Sequence, residues 1–142
     1  MNFYELKDEI NKPKYNGLTN EEIATLLNTE NIPVVVDVSS IQLLYWAAFN
    51  GRFDKIKVAS ETHPIQEIRA IAQAALKLID RIDVGYSRSS HKGLLDNFVL
   101  SGVLTSEDAE ALDTMCDKMM SRASQLKYEQ ITEDHINYAK SL

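Results

Sequence analysis

The segment from Ile65 to Ile82 constrains the fold most. Ile65, Ile68, Ile71, Ala72, Ala75, Leu78, Ile79 and Ile82 recur at the three- and four-residue intervals of an α-helix, while Gln66, Arg69, Gln73, Lys77 and Asp80 fill the opposite face. A helix striped in this way gains its stability by laying the apolar stripe on other apolar surface. The other segments supply such surface in the same form. Phe3, Leu6 and Ile10 predict a short helix over 3–11, ended by Pro13 and the turn residues Tyr15-Asn16-Gly17. Thr19 with Glu22 three residues later is a capping box, and Ile23, Leu26 and Leu27 form the stripe behind it.

Residues 40–50 form a different kind of helix. Ile41, Leu43, Leu44, Tyr45, Trp46, Ala47, Ala48 and Phe49 leave almost no polar face, and Ser39 or Ser40 caps the start. A helix apolar all round is buried in its domain or in an interface. If it is not central to the core, its clustered aromatic residues are the makings of a binding hot spot. Asn50-Gly51 suits its end, and a shorter helix with Phe53, Ile56 and Ala59 inward follows.

Further helices are expected over 91–101, with Leu94, Leu95, Phe98 and Val99 inward, and over 106–127, started by Thr105 with Asp108 and striped by Ala109, Leu112, Met115, Cys116, Met119, Ala123 and Leu126. Thr132 caps a final short one with Ile136 and Ala139. Pro33 to Val38 is the one β-like segment, rich in β-branched residues, and no clear second strand accompanies it. The expected architecture is all-α, a single-domain bundle over 1–142 of about six to seven helices with one short extended segment at 33–38. A chain of 142 residues buries roughly two-thirds of its unfolded surface, so neither disulfide nor metal is needed to hold it.

Charge and motifs narrow the function. The net charge is −6, divided equally between residues 1–71 and 72–142, and no basic arm stands out. Phosphate contacts dominate nucleic-acid affinity, so direct nucleic-acid binding is not expected. Leu94 to Leu112 has a helix–turn–helix outline, but its second helix carries Glu107, Asp108, Glu110, Asp113 and Asp117, which would face phosphates. A plain αα-hairpin is the better reading. One cysteine excludes an internal disulfide, and the histidines at 63, 91 and 135 lack ligand spacing, so no metal and no cofactor is expected. Each histidine reads as a surface or helix-capping residue. Cys116 lies on an apolar helix face and reads as a small buried hydrophobe. No nucleophile elbow or phosphate-cradling loop is present, and the chain is not expected to be an enzyme. No secretory signal is expected, because Met1-Asn2-Phe3-Tyr4-Glu5-Leu6-Lys7 has no apolar run behind a basic region, and no membrane span, because the longest uncharged apolar-rich run, Val38 to Phe49, is too short.

What the helices leave over is the candidate contact surface. It comprises Val34, Val35, Val36 and Val38 of the connector, which could add a strand to a partner sheet. It also takes in Tyr86 and Arg88 in the polar stretch 83–90, expected to be an exposed loop, and Glu107, Asp108 and Glu110 of the acidic helix. The opening pattern carries a resemblance too. Leu6-Lys7-x-Glu9-Ile10, then Pro13-x-Tyr15-x-Gly17-Leu18-Thr19-x-Glu21-Glu22-Ile23-Ala24-x-x-Leu27-Asn28, the Val-rich connector, the aromatic helix, Gly51-Arg52 and Gly102-Val103-Leu104-Thr105 are similar to small proteins encoded near structural genes of tailed bacteriophages. The resemblance spans about residues 4–112 and supplies no functional residue. It implies a phage structural or assembly protein of the neck, tail or another virion component. Such a protein would bind other chains, virion proteins or itself as an oligomer, in the virion or the host cytoplasm. The alternative is a small acidic phage effector that binds and inhibits a host protein, for instance by presenting carboxylates as DNA does.

Overall fold

The apolar stripes gather around two cores. The computed structural model describes residues 1–142, and the chain divides into two compact units, Met1–Val34 with Met119–Leu142 and Val35–Lys118. The second unit is therefore an insertion within the first. Helices account for 67% of the residues, with one two-stranded antiparallel sheet. The mostly helical class expected from the sequence holds.

In the first unit, α1 (Phe3–Ile10) starts where Asn2 Oδ1 accepts the Tyr4 and Glu5 N–H groups, and α2 (Asn20–Asn28) starts at the Thr19/Glu22 capping box. Strand β1 (Glu30–Val35) leads out of this unit. The second unit contains α3 (Ser40–Ala48), α4 (Arg52–Thr62), α5 (Gln66–Asp80), α6 (Arg88–Leu100) and α7 (Ser106–Asp113). Strand β2 (Asp117–Ser121) leads back, and α8 (Arg122–Gln125) and α9 (Glu133–Ser141) complete the first unit.

The core of the first unit joins Leu6, Ile10, Ile23 and Leu27 from its front half to Ala123, Leu126, Tyr128, Ile131, Ile136 and Ala139 from its rear half. Two polar ties fix the register of the halves. The Asn28 amide donates to the Ile131 carbonyl and accepts its N–H, both at 2.8 Å. Glu9, only 1% exposed, accepts hydrogen bonds from Lys12, from the Tyr15 hydroxyl at 2.9 Å and from Arg122 at 3.2 Å. Burial alone would raise the Glu9 pKa, but these donors outweigh it and bring it from 4.5 to about 2.

The second unit packs Leu43, Trp46, Ile56, Ala72, Ala75, Ile79, Phe98, Leu112 and Cys116 around α5. Helices α6 and α7 form the αα-hairpin expected from the sequence, turned at Gly102, whose φ of +76° is open to glycine without strain. Helix α6 begins at Arg88, earlier than the expected 91.

Two segments differ from the sequence expectation. The helix expected over 106–127 ends at Asp113. A 3-10 turn follows at Thr114–Cys116, then β2, then α8, started by the Ser121 hydroxyl accepting the Ser124 N–H at 3.0 Å. The Met115, Cys116 and Met119 spacing fits a helix, but residues 117–121 instead satisfy the backbone of β1, a pairing that local spacing cannot reveal. β1 itself covers 30–35 rather than 33–38, and Pro33 is tolerated because each strand of a two-stranded sheet keeps one unpaired edge. The second difference concerns residues 83–90, expected as an exposed loop. Tyr86 is buried and exchanges backbone hydrogen bonds with Val38, at 2.8 and 3.0 Å.

Gly85 allows that bridge. A Cβ there would stand 1.8 Å from the Val38 carbonyl oxygen. Gly85→Ala is expected to break the Val38–Tyr86 pairing and lower the unfolding free energy by about 3 kcal/mol; a chemical denaturation midpoint equal to that of the parent chain would contradict this.

Candidate functional site

α3 is apolar on both faces, and the second unit covers one of them. Ser39 starts it through a capping box with Gln42, and the left-handed backbone of Asn50 and Gly51 ends it. Leu43, Trp46 and Ala47 face the core. Ile41, Leu44, Tyr45, Ala48 and Phe49 occupy the i, i+3, i+4, i+7 and i+8 positions of the other face. Their exposures are 62% for Ile41, 50% for Leu44, 61% for Tyr45 and 64% for Phe49. No charged residue occurs from Val38 to Gly51.

The inner side of α3 is held by polar bonds as well as packing. The Trp46 indole N–H donates to the Asp108 carbonyl at 2.8 Å. Arg52 lies over the Trp46 ring at 5.5 Å and donates to the Trp46 carbonyl at 3.0 Å. The same guanidinium donates to Asp108 Oδ1 at 3.0 Å, and Lys55 Nζ donates to Oδ2 at 3.1 Å. The Thr105 N–H completes the set at 3.1 Å. Asp108 is 5% exposed. Burial alone would raise its pKa, but the donors outweigh it and lower it from 3.8 to about 2. The outer apolar face therefore sits on a rigid base, which limits the ordering cost of binding.

The residues selected from the sequence fall elsewhere. Val34 and Val36 are half-buried and Val35 is exposed, in or next to a strand that is already paired. Val38 and Tyr86 are buried together, so they present no surface. The Tyr86 hydroxyl donates to Asp113 at 2.8 Å. Arg88 bonds Asp113 and Asp117, at 3.1 and 2.9 Å. Asp108 is the internal hub just described. Glu107 and Glu110 alone remain exposed carboxylates of α7. The five acidic residues of 107–117 are thus not one free face, because Arg52, Lys55 and Arg88 engage three of them.

The histidines serve helix starts. The Nδ1 atoms of His63, His91 and His135 accept the N–H groups of Ile65, Ser87 and Thr132 at 3.1, 2.9 and 3.0 Å. Cys116 is buried, which pushes its thiol pKa up. No group of three or more His, Cys, Asp or Glu side chains is arranged to hold a metal ion. No helix is long and apolar enough to cross a membrane. An open groove of about 510 Å³ runs between α4 and the α6–α7 turn, past Val58, Ala59, Pro64 and Val103.

The exposed α3 face was only half legible in the sequence. The run of apolar residues announced a helix without a polar side, but not which side the core would take. Comparison with protein families, curated proteins and solved structures finds no match to this chain.

Asp108→Asn leaves Arg52 buried without its counter-charge and is expected to cost about 3 kcal/mol of stability. The folded-state pKa of Asp108 lies below its ordinary 3.8. Its contribution is therefore complete above about pH 4 and is lost as the pH falls towards 2. Glu9 loses its own contribution over a similar range, so the informative quantity is the difference between the chains. Thermal melts from pH 7 to 2 should show the gap between parent and Asp108→Asn narrowing below pH 4; a gap that stays constant would refute the linkage.

Proposed function

We propose that this chain is a non-enzymatic structural or assembly protein of a tailed bacteriophage, in the neck, tail or another virion component, and that it works by docking other protein chains on the exposed face of α3. The observation that carries this reading is the rigid, uncharged stripe of Ile41, Leu44, Tyr45, Ala48 and Phe49. A contiguous apolar patch of this kind on a protein surface marks an interaction site, and aromatic residues on a fixed base are what binding hot spots are made of. The phage assignment rests on the resemblance of residues 4–112 to small proteins encoded near virion genes.

The inhibitor alternative needs a continuous anionic face to imitate DNA. It draws less support, because Asp108 and Asp113 are held in largely covered ion pairs and Asp117 is paired with Arg88 at the surface. In the phage that encodes the chain, mass spectrometry of purified particles or assembly intermediates should detect it. Tyr45→Glu should reduce its incorporation at least tenfold while circular dichroism stays unchanged. A chain absent from particles and intermediates alike would sink the proposal.

A further inference from the structure

The docking reading leaves open what covers α3, and on that reading the chemistry of the face selects an occupant. We infer that it is a second copy of this chain, paired about a two-fold axis with the two α3 helices antiparallel and Tyr45 near the axis. Tyr45 lies at the middle of the stripe, with Ile41 and Leu44 on one side and Ala48 and Phe49 on the other.

Charge favours this occupant. The chain carries −6, so two copies repel each other over most of their surfaces, and like-charge contacts are costly in any interface. The stretch Val38 to Gly51 is free of charge, so self-pairing there sets no like charges of α3 against each other. A basic protein would find no carboxylate on this stripe, and a nucleic acid would find no cation. What the stripe can recognise is another uncharged apolar surface, and a two-fold pairing supplies one on each copy. Antiparallel helices also set the dipole ends of one against the opposite ends of the other.

Area points the same way. Taking roughly 150–250 Å² for a large side chain, the exposed fractions of Ile41, Leu44, Tyr45 and Phe49 amount to on the order of 500 Å². Full covering of these side chains on two copies would bury about 1,000 Å², the size at which a specific interface begins. The polar rim that surrounds any such contact adds to this. Ser40 Oγ holds the Ile82 carbonyl beside the start of α3 at 2.9 Å, and Ile82 is itself almost fully exposed.

Sedimentation velocity on the full chain, from about 1 to 100 µM, should give twice the chain mass of 16.1 kDa. Tyr45→Glu should weaken the dimer at least 30-fold, the effect of removing one hot spot. Val58→Glu changes an equally exposed apolar residue outside the stripe and should leave the dimer intact. Because Cys116 is buried, Tyr45→Cys provides a second readout: mild oxidation should join two chains through residue 45, and Val58→Cys should not. A monomer across the whole range overturns the inference, as does a dimer that survives Tyr45→Glu. These failures are separable from failure of the docking reading. A monomeric chain whose Tyr45→Glu variant is still lost from particles uses α3 for a different protein. A dimer dependent on Tyr45 in a chain never found in particles or intermediates keeps the self-pairing and removes the virion role.

Discussion

A carboxylate taken out of water must recover its hydration from the protein, and Asp108 recovers it from three donors on two parts of the second unit. The Thr105 N–H comes from the start of α7, and Arg52 and Lys55 come from α4. Arg52 then reaches the main chain of α3 at Trp46, whose indole returns to the carbonyl of Asp108 itself. The ring of bonds closes on one residue. A buried charge with any partner missing is strongly destabilising, so α3, α4 and the start of α7 have little freedom to shift independently. That constraint sets which half of α3 is inside. Trp46 must point to Asp108, and Ile41, Tyr45 and Phe49 are thereby turned out.

The order of cause matters for the functional reading. The outward face of α3 does not arise from a shortage of core. Leu43, Trp46 and Ala47 fill the inner side in company with Ile56, Ala72 and Phe98. The outer residues are as apolar as the inner ones, yet half or more of each large one stays uncovered. Polar substitution there would leave the Asp108 ring untouched, so fold stability does not account for the apolar character of these positions. Binding does.

Much of the local structure was legible in the sequence for a physical reason: helix starts are written in adjacent residues. The boxes Thr19/Glu22 and Thr105/Asp108 and the cap at Thr132 all stand where their spacing places them. Legibility fails where the deciding partner is distant in the chain. Residues 117–121 carry helical spacing, but β1 needed a strand. Asp108 reads locally as the partner of Thr105 at a helix start, and nothing nearby reveals that Arg52, 56 residues away, would claim it as well. The all-apolar α3 is a third case, because periodicity carries no information when every position reads the same. The Val38–Tyr86 bridge is a fourth, since a polar, serine-rich stretch gives no sign that the tyrosine inside it is anchored. The candidate site suffered most from these failures, and only Glu107, Glu110 and Val35 remained as exposed residues of the original set.

The insertion of one unit within the other has a consequence for synthesis. A ribosome releases α1 and α2 before residues 35–118, but their partner surfaces belong to the segment that follows those residues. The Asn28–Ile131 tie spans 103 residues, so it cannot form until Ile131 has left the ribosome. Residues 35–118, by contrast, emerge as a continuous stretch holding every member of their own core. Contacts far apart in sequence close late. Residues 35–118 would thus mature before the unit that flanks them, with α1 and α2 waiting as nascent amphipathic segments until α9 arrives to cover them.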